Sequence, residues 1–325
     1  MRWRRTIVIT AGAAIAAGLL YEQIAEWRDQ RRVQRIGESV DIGGRTLNIH
    51  CVGEGNPVVV FESPGAGPGL LWKPIQEEIA KLTRACWYDR AGEGWSDPGP
   101  FPRTSAAIAS DLHELLHRAH IPAPYVLVGA SFGGLNARVY GARYPEEVAG
   151  MVLVESAHED ELKRAPKFFL APSPPRYLWY PLHLAFQTAW RMGLVRMTRS
   201  PRPAADATLQ ALEQQPKSIV SSALTGIVER ESYDQARAVT SLGDIPLIVL
   251  TGAKPMTFDD PEMARQAAEF QQVWITQMQA QLARLSTHGR QIILQNSDHA
   301  ITEHAPEAVI SAVQDVLTAV RQPRR

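Results

Sequence analysis

The chain has 325 residues, of which 45% are hydrophobic and 21% are charged. These proportions are typical of a packed globular protein and exclude a disordered chain. Lys plus Arg and Asp plus Glu each total 34, so the formal net charge is zero, and no long basic block is available to bind a run of phosphates. We therefore expect no nucleic-acid partner, and one domain with an insertion.

The N-terminal residues 1–21 differ from the rest of the chain. Arg2, Arg4 and Arg5 precede an uncharged, mostly apolar stretch, residues 6–21, which is typical of a membrane anchor or a secretory signal. The stretch is slightly shorter than the ~20 residues that span a bilayer comfortably. Because the basic residues come first, we predict a membrane-anchored or exported protein whose folded domain lies on the far side of the membrane. The alternative is a buried N-terminal helix of a cytosolic protein.

The remaining chain reads as a stalk followed by an α/β domain. Residues 22–37 are polar and predict a helical stalk or linker, and Gly43-Gly44 then joins two strands in a hairpin. Short apolar runs follow, separated by helical stretches, at residues 58–61, 85–88, 125–128, 151–154, 245–250 and 291–294. This alternation predicts a mostly parallel, eight-stranded sheet with helices on both faces, formed by residues 38–155 and 245–325.

Residues 156–244 interrupt this alternation after the sixth strand. The insertion is rich in proline and in large aromatic side chains, including Phe168, Phe169, Tyr177, Trp179, Tyr180, Phe186 and Trp190. We predict a helical cap or lid over an apolar cleft, since exposed contiguous apolar surface is disfavoured. The alternative is that the insertion only covers the core.

The most specific motif is G-x-S-x-G, at residues 129–133, between a predicted strand and a predicted helix. A serine on such a sharp turn is held in a strained conformation, and only small residues fit at Gly129 and Gly133. The start of the helix also directs main-chain N–H groups at the negative charge that forms during acyl transfer. The motif therefore predicts that Ser131 is a nucleophile.

Five segments follow one another along the chain, at residues 61–67, 88–97, 125–134, 152–158 and 297–299. In these segments and their order, from about residue 38 to 321, the chain resembles the α/β-hydrolase superfamily, especially its esterase- and lipase-like bacterial members with an N-terminal anchor. One departure is Ala130, where relatives commonly carry histidine. Asp89 and Arg90 are interpreted as a buried pair that supports the cleft wall.

The resemblance implies the order nucleophile, acid, histidine along the chain. His299 is the expected general base, with His304 as the competitor in the same loop. The oxyanion hole is expected to combine the N–H groups of Phe132 and of Gly65, in the loop after the third strand.

The acid that orients the histidine is less clearly marked. Relatives usually carry an aspartate after the seventh strand, where this chain has residues 251–255 without an acid. Some lipase-like members carry the acid at the end of the sixth strand, where Glu155 stands. Glu155 is the favoured acid, and Asp260 and Asp259 are the alternatives.

No cofactor and no metal site are predicted. Cys51 and Cys86 lack C-x-x-C spacing. In the superfamily the second and fourth strands are antiparallel neighbours, which implies a Cys51–Cys86 disulfide as a hypothesis. The other histidines are interpreted as surface or packing residues: His50, His113, His117, His120, His158, His183 and His288.

The predicted function is that of a serine hydrolase. It would cleave an ester, thioester or amide of an apolar small molecule through an acyl-enzyme. A C–C bond hydrolase or a perhydrolase with the same triad is one alternative, and a non-catalytic binding or signalling module on the same scaffold is another.

Overall fold

The computed structural model of the protein describes residues 2–65, 67–169, 174–198 and 207–322. Its strands are β1 (Glu38–Asp41), β2 (Thr46–Val52), β3 (Val58–Glu62), β4 (Ala85–Tyr88), β5 (Tyr125–Ala130), β6 (Val148–Val154), β7 (Leu247–Gly252) and β8 (Gly289–Leu294). They form one eight-stranded sheet in the order β1-β2-β4-β3-β5-β6-β7-β8. β2 pairs antiparallel with β1 and β4, and all other pairs are parallel. The predicted fold class is therefore confirmed.

Helices cover both faces of this sheet. The α-helices in the described part of the chain are α1 (Arg2–Arg32), α2 (Lys73–Ile79), α3 (Ser105–Arg118), α4 (Phe132–Arg143), α5 (Glu161–Arg164), α6 (Trp179–Arg191), α7 (Ala207–Glu213), α8 (Pro216–Ile227), α9 (Glu229–Arg237), α10 (Pro261–Val273), α11 (Ala280–Ala283), α12 (Ile301–His304) and α13 (Pro306–Arg321). Successive side chains of β5 point to opposite faces. Tyr125 and Leu127 pack with α3, α4 and α9, whereas Val126 and Val128 pack with α2 and α13.

Helices α5 to α9 lie between β6 and β7, where the sequence predicts the cap. Trp179 of α6 and Val220 and Leu224 of α8 belong to an apolar cluster separate from the two sheet clusters. Residues 170–173 and 199–206 of the predicted cap lie outside the described part of the chain. We propose that this segment with its own core is the cap.

The N-terminal prediction needs correction. Residues 2–32 form one helix, α1, and its second half is held by charged side chains: Arg196 pairs with Glu22 at 2.6 Å and with Asp29 at 2.7 Å. No helix in the described part of the chain is both long and apolar enough to cross a membrane. Residues 6–21 would rise only ~24 Å as a helix, less than the ~30 Å of a hydrocarbon core. The predicted anchor or signal, and the predicted location beyond a membrane, are wrong; Met1 lies outside the described residues.

The two cysteines face each other across the antiparallel part of the sheet. Cys51 of β2 is the register partner of Cys86 of β4, with the Cα atoms 4.1 Å apart. A disulfide joins them. The disulfide hypothesis is therefore confirmed, and the bond ties the hairpin strand to the parallel part of the sheet.

Candidate active site

Ser131 occupies a sharp turn between β5 and α4. Its φ of 50° and ψ of −121° lie outside the regions that L-residues normally adopt. Its N–H donates to the Val154 carbonyl at 3.0 Å, and its carbonyl accepts the Ala157 N–H, also at 3.0 Å. The strained turn is thus fixed by main-chain hydrogen bonds to the end of β6 and the segment that follows it.

Main-chain segments approach this turn so closely that side chains are excluded. A Cβ at Gly129 would lie 2.6 Å from the Gly133 carbonyl oxygen, and one at Gly133 would lie 2.4 Å from the Ser63 carbonyl oxygen and 2.5 Å from that of Glu62. Heavy atoms at these distances overlap, and a close-packed interior relaxes only partly around them. The packing therefore requires both glycines of the G-x-S-x-G motif.

The loop after β8 brings a histidine to the serine from far along the chain. His299 Nε2 lies 3.1 Å from Ser131 Oγ, and the His299 side chain is 64% exposed. His304, the competing histidine, instead has its Nδ1 2.7 Å from Asp298 Oδ1. Of the two candidate bases, the structure places His299 beside the predicted nucleophile.

Glu155 lies on the other side of the histidine. It directly follows β6, has a φ of 45°, and is only 5% exposed. Its Oε2 lies 3.2 Å from His299 Nδ1. The side chains of Ser131, His299 and Glu155 thus form one continuous line of hydrogen bonds across the carboxyl ends of β5, β6 and β8.

Two residues that hold Glu155 were missed by the sequence analysis. The Gly252 N–H, at the end of β7, donates to Glu155 Oε1 at 2.6 Å, and Trp274 Nε1 lies 3.1 and 3.3 Å from the two carboxylate oxygens. Trp274 begins a π-helical segment, Trp274–Gln279, of the kind that is frequent at functional sites. No local pattern in a single sequence marks either residue, because both act on a partner about a hundred positions away.

The two alternative acids, Asp260 and Asp259, lie in surroundings that differ from those of Glu155. Asp260 Oδ1 accepts the Met263 N–H at 2.8 Å and caps α10. Within the described residues, neither Asp260 nor Asp259 forms a hydrogen bond with His299, so the structure brings only Glu155, of the three candidate acids, to the histidine.

The acidic surroundings of His299 favour its protonated form. The hydrogen bond with Glu155 raises the pKa of His299 above its usual value of 6.5, and this effect and the nearby charges of Glu155, Glu161 and Asp298 outweigh the opposing effect of partial desolvation by neighbouring protein atoms. When His299 takes a proton, these carboxylates therefore stabilise the resulting imidazolium.

The proposed oxyanion donors lie on adjacent segments. Phe132 is the first residue of α4, so its N–H has no acceptor within the helix. A Cβ at Gly65 would lie 3.9 Å from the Phe132 Cβ, so the loop after β3 passes alongside it. Ala66, in the middle of this loop, lies outside the described residues.

A buried polar network holds the loop after β3 in place. Arg90 donates to the carbonyl oxygens of Ser63 and Gly65 at 3.1 and 2.9 Å, and pairs with Glu62 at 3.2 Å. Burial raises the pKa of Glu62, although Arg90 opposes the shift. The predicted Asp89–Arg90 pair is wrong, because the Asp89 carboxylate instead accepts main-chain N–H groups, which include that of Gly69 at 2.7 Å.

An aromatic cluster runs from the acid toward solvent. Trp274, which contacts Glu155, packs against Phe270, and Phe270 against Phe169, with ring centroids 5.9 and 6.0 Å apart. Phe168 and Phe258 complete the cluster. Phe168 and Phe169 remain 37% and 39% exposed, so the outer end of the cluster is a partly open apolar surface.

Sequence comparisons are consistent with this geometry. Residues 57–301 match the family described as alpha/beta hydrolase fold. An uncharacterized vacuolar membrane protein of Saccharomyces cerevisiae is 39% identical over 110 residues, which are 33% of this chain and 17% of the yeast protein. The 2-hydroxy-6-oxo-2,4-heptadienoate hydrolase of Pseudomonas putida is 32% identical over 124 residues, 37% of this chain and 44% of that enzyme. The match thus spans less than half the length of either relative.

The matches to solved structures cover a larger part of the chain than the sequence matches do. An esterase from Thermogutta terrifontis superposes with a TM-score of 0.58 at 20% identity, covering 89% of this chain and 100% of the esterase. An enol-lactonase from Burkholderia xenovorans superposes with a TM-score of 0.57 at 20% identity, covering 86% of this chain and 100% of the lactonase. At this level of identity the likeness shows the fold alone.

The close approach at Gly133 generates a stability prediction. Gly133→Ala places a methyl group against two main-chain carbonyl oxygens that cannot rotate away, so we expect it to destabilise the protein by roughly 1–3 kcal/mol in urea unfolding. Gly226→Ala on α8 is the matched control, since a Cβ there meets nothing within 4 Å. It should change the unfolding free energy by at most about 1 kcal/mol. Equal stability of both variants and the parent would contradict the packing argument.

Proposed function

This chain belongs to the alpha/beta hydrolase fold family, and we propose that it is a serine hydrolase that cleaves an ester, thioester or amide of an apolar small molecule. The observation that carries the proposal is the line of hydrogen bonds from Ser131 through His299 to Glu155, at 3.1 and 3.2 Å. A serine hydroxyl is a weak nucleophile at neutral pH, and a neutral imidazole within hydrogen-bond reach removes that limitation.

In the first half of the reaction, Ser131 Oγ attacks the substrate carbonyl while its proton moves to His299 Nε2. Glu155 accepts the Nδ1–H hydrogen bond, which selects the tautomer with a free Nε2 and stabilises the imidazolium. Because Gly252 and Trp274 also donate to Glu155, its carboxylate is held in place while His299 changes charge. The imidazolium then protonates the leaving group, and an acyl-enzyme remains on Ser131.

The negative charge on the carbonyl oxygen is assigned to the N–H groups of Phe132 and Gly65. Arg90 donates to the Pro64 carbonyl, which shares a peptide plane with the Gly65 N–H, so the Gly65 donor needs little reorganisation when the charge forms. Preorganised donors of this kind each contribute about 2.7–4 kcal/mol to transition-state stabilisation. Water, activated by the same His299, then releases the acid from Ser131.

The aromatic cluster supports a preference for apolar substrates. Phe168 and Phe169 come from the proposed cap and contact Phe258, which precedes α10. Their exposed faces offer an acyl or alcohol chain a surface that connects through Phe270 to Trp274 beside the acid. Each methylene buried there contributes about 0.8 kcal/mol of binding.

A second candidate reaction is hydrolysis of a carbon–carbon bond with the same residues. It is favoured by the match to the Pseudomonas putida enzyme, since the substrate in its name, 2-hydroxy-6-oxo-2,4-heptadienoate, has no ester or amide bond to hydrolyse. A panel containing both p-nitrophenyl esters and that dienoate separates the two candidates. Faster Ser131-dependent turnover of the dienoate would favour the second.

Ser131→Ala tests the nucleophile. We expect the variant to lose labelling by a fluorophosphonate probe and to lose roughly 10⁶-fold in kcat on p-nitrophenyl esters, as for other serine triads. Ser39→Ala, on the exposed face of β1, is the control and should label like the parent. A parent protein that never labels, or a Ser131→Ala variant that still does, would exclude the proposed nucleophile.

The raised pKa of His299 predicts a pH profile. His299 must be neutral to act as a base, so kcat/KM should fall as the pH drops through its pKa, with a midpoint above 6.5. Glu155→Gln removes the carboxylate that is the largest cause of the raised pKa of His299. It also removes the group that selects the His299 tautomer. We expect the midpoint to move to lower pH and kcat to fall by about 10²–10⁴-fold. A loss of kcat with an unchanged midpoint would indicate that Glu155 is only structural.

The aromatic cluster predicts a chain-length effect. Phe169→Ala should raise KM for p-nitrophenyl octanoate by about tenfold and leave acetate hydrolysis nearly unchanged, because only the longer chain reaches the cluster. Tyr177→Ala is the control: this cap residue is 77% exposed and no ring contact joins it to the cluster among the described residues. Equal effects on octanoate and acetate would place the acyl chain elsewhere.

A further inference from the structure

Two histidines and a glutamate meet at the end of α4 that is farther from Ser131. His113 and His117 lie on α3, and Glu147 lies in the short turn between α4 and β6. Glu147 Oε1 is 3.1 Å from His113 Nδ1 and 2.9 Å from His117 Nε2. The ligand atoms of all three residues lie within 4.8 Å of one another.

The residue types and the distances between their ligand atoms are those of a transition-metal site. Zn²⁺ binds imidazole nitrogen and carboxylate oxygen at about 2.0–2.2 Å, so neighbouring donors in a tetrahedral site lie about 3.3 Å apart. Residues four apart on a helix share a face, which is why His113 and His117 can reach one ion. Their ring centroids are 4.3 Å apart.

The surroundings orient these side chains as they do in metal sites. The Tyr140 hydroxyl donates to Glu147 Oε2. Tyr144 stacks flat on the His113 ring, with centroids 4.0 Å apart and planes inclined by 4°. Metal-ligating carboxylates are commonly oriented by a hydrogen bond of the kind that Tyr140 donates. His113 is 24% exposed and Glu147 16%, so the cluster is partly shielded and still open to solvent on the His117 side.

The competing explanation is a plain ion pair between one carboxylate and two imidazoles. His113 Nδ1 and His117 Nε2 both lie within 3.1 Å of the same carboxylate oxygen, Glu147 Oε1. Three ligand atoms from two separate segments that converge in this way form the arrangement that a shared cation requires.

We propose that His113, His117 and Glu147 bind one divalent transition-metal ion of the Zn²⁺ class, with water as the fourth ligand. The sequence signal is H-E-x-x-H at residues 113–117, a spacing that places two zinc ligands on one helix face. The interpretation of His113 and His117 as surface or packing histidines is thereby revised. Glu114, between them, pairs with Arg118 at 3.1 Å, and we assign it no chemical step.

The metal would be separate from the serine chemistry. Ser131 and the cluster lie at opposite ends of α4, whose 12 residues span about 18 Å. An ion at the cluster would join α3 to the turn before β6 and so stabilise the packing of these elements. Removing it should leave ester hydrolysis by Ser131 intact.

The test is metal binding by the full chain, measured by calorimetry with Zn²⁺ and by the visible absorption of bound Co²⁺. We expect one ion per chain and a spectrum of four-coordinate Co²⁺. His117→Ala should abolish the spectrum and weaken Zn²⁺ binding by well over tenfold, and Tyr140→Phe, which keeps the ring, should weaken it by about 10-fold. His120→Asn is the control, because His120 is exposed nearby and its φ of 53° suits asparagine.

Several results would overturn the proposal. A parent protein that binds no Zn²⁺ leaves the cluster as an ion pair, and equal binding by the parent and His117→Ala places the ion elsewhere. Circular dichroism verifies the folding of each variant, and Glu147→Gln replaces His117→Ala if the latter is unfolded. Loss of Zn²⁺ binding in His120→Asn would equally contradict the assignment.

Discussion

The α4 main chain at Gly133 touches the carbonyl oxygens of Glu62 and Ser63, closer than any side chain would allow. This contact joins the end of β3 to the start of α4, and it leaves Ser131 between them with a φ of 50°. The same contact brings the loop that contains Gly65 alongside Phe132. The proposed nucleophile and the proposed oxyanion donors are therefore placed by one steric constraint, which depends on main-chain atoms and so does not relax by a change of rotamer.

Two buried carboxylates hold the elements around this contact. Glu62 accepts hydrogen bonds from Tyr88, Arg90 and Asn136 under the loop. Glu155 accepts them from Gly252 and Trp274 and meets His299 with its remaining lone pairs. A buried carboxylate without such partners is strongly disfavoured. Glu62 therefore fixes the relative positions of three segments that are distant in sequence, and Glu155 those of four.

Trp274 connects the hydrogen-bond line of Ser131, His299 and Glu155 with the proposed substrate surface. Its indole N–H holds Glu155, and its ring begins the aromatic cluster that ends at the exposed Phe169 of the proposed cap. The proposed substrate contacts at the cap and the orientation of Glu155 are thus linked through one side chain. The His113, His117 and Glu147 cluster lies at the other end of α4, so a metal ion there would influence stability without touching this chemistry.

The sequence by itself determined the parallel sheet, the Ser131 elbow and the histidine loop, because strand periodicity and the sterics of a strand-to-helix turn depend on neighbours within a few residues. The tertiary structure decided which acid meets His299, since Glu155 and His299 are 144 residues apart and only the order of β6, β7 and β8 brings them together. It also paired Arg90 with Glu62 and brought the proposed metal ligands together from α3 and from the turn before β6. At the N-terminus, composition suggested a membrane segment at residues 6–21, whereas in the described chain no helix is long and apolar enough to cross a membrane. Only the folded chain shows that α1 continues to Arg32 and that Arg196 holds its Glu22 and Asp29.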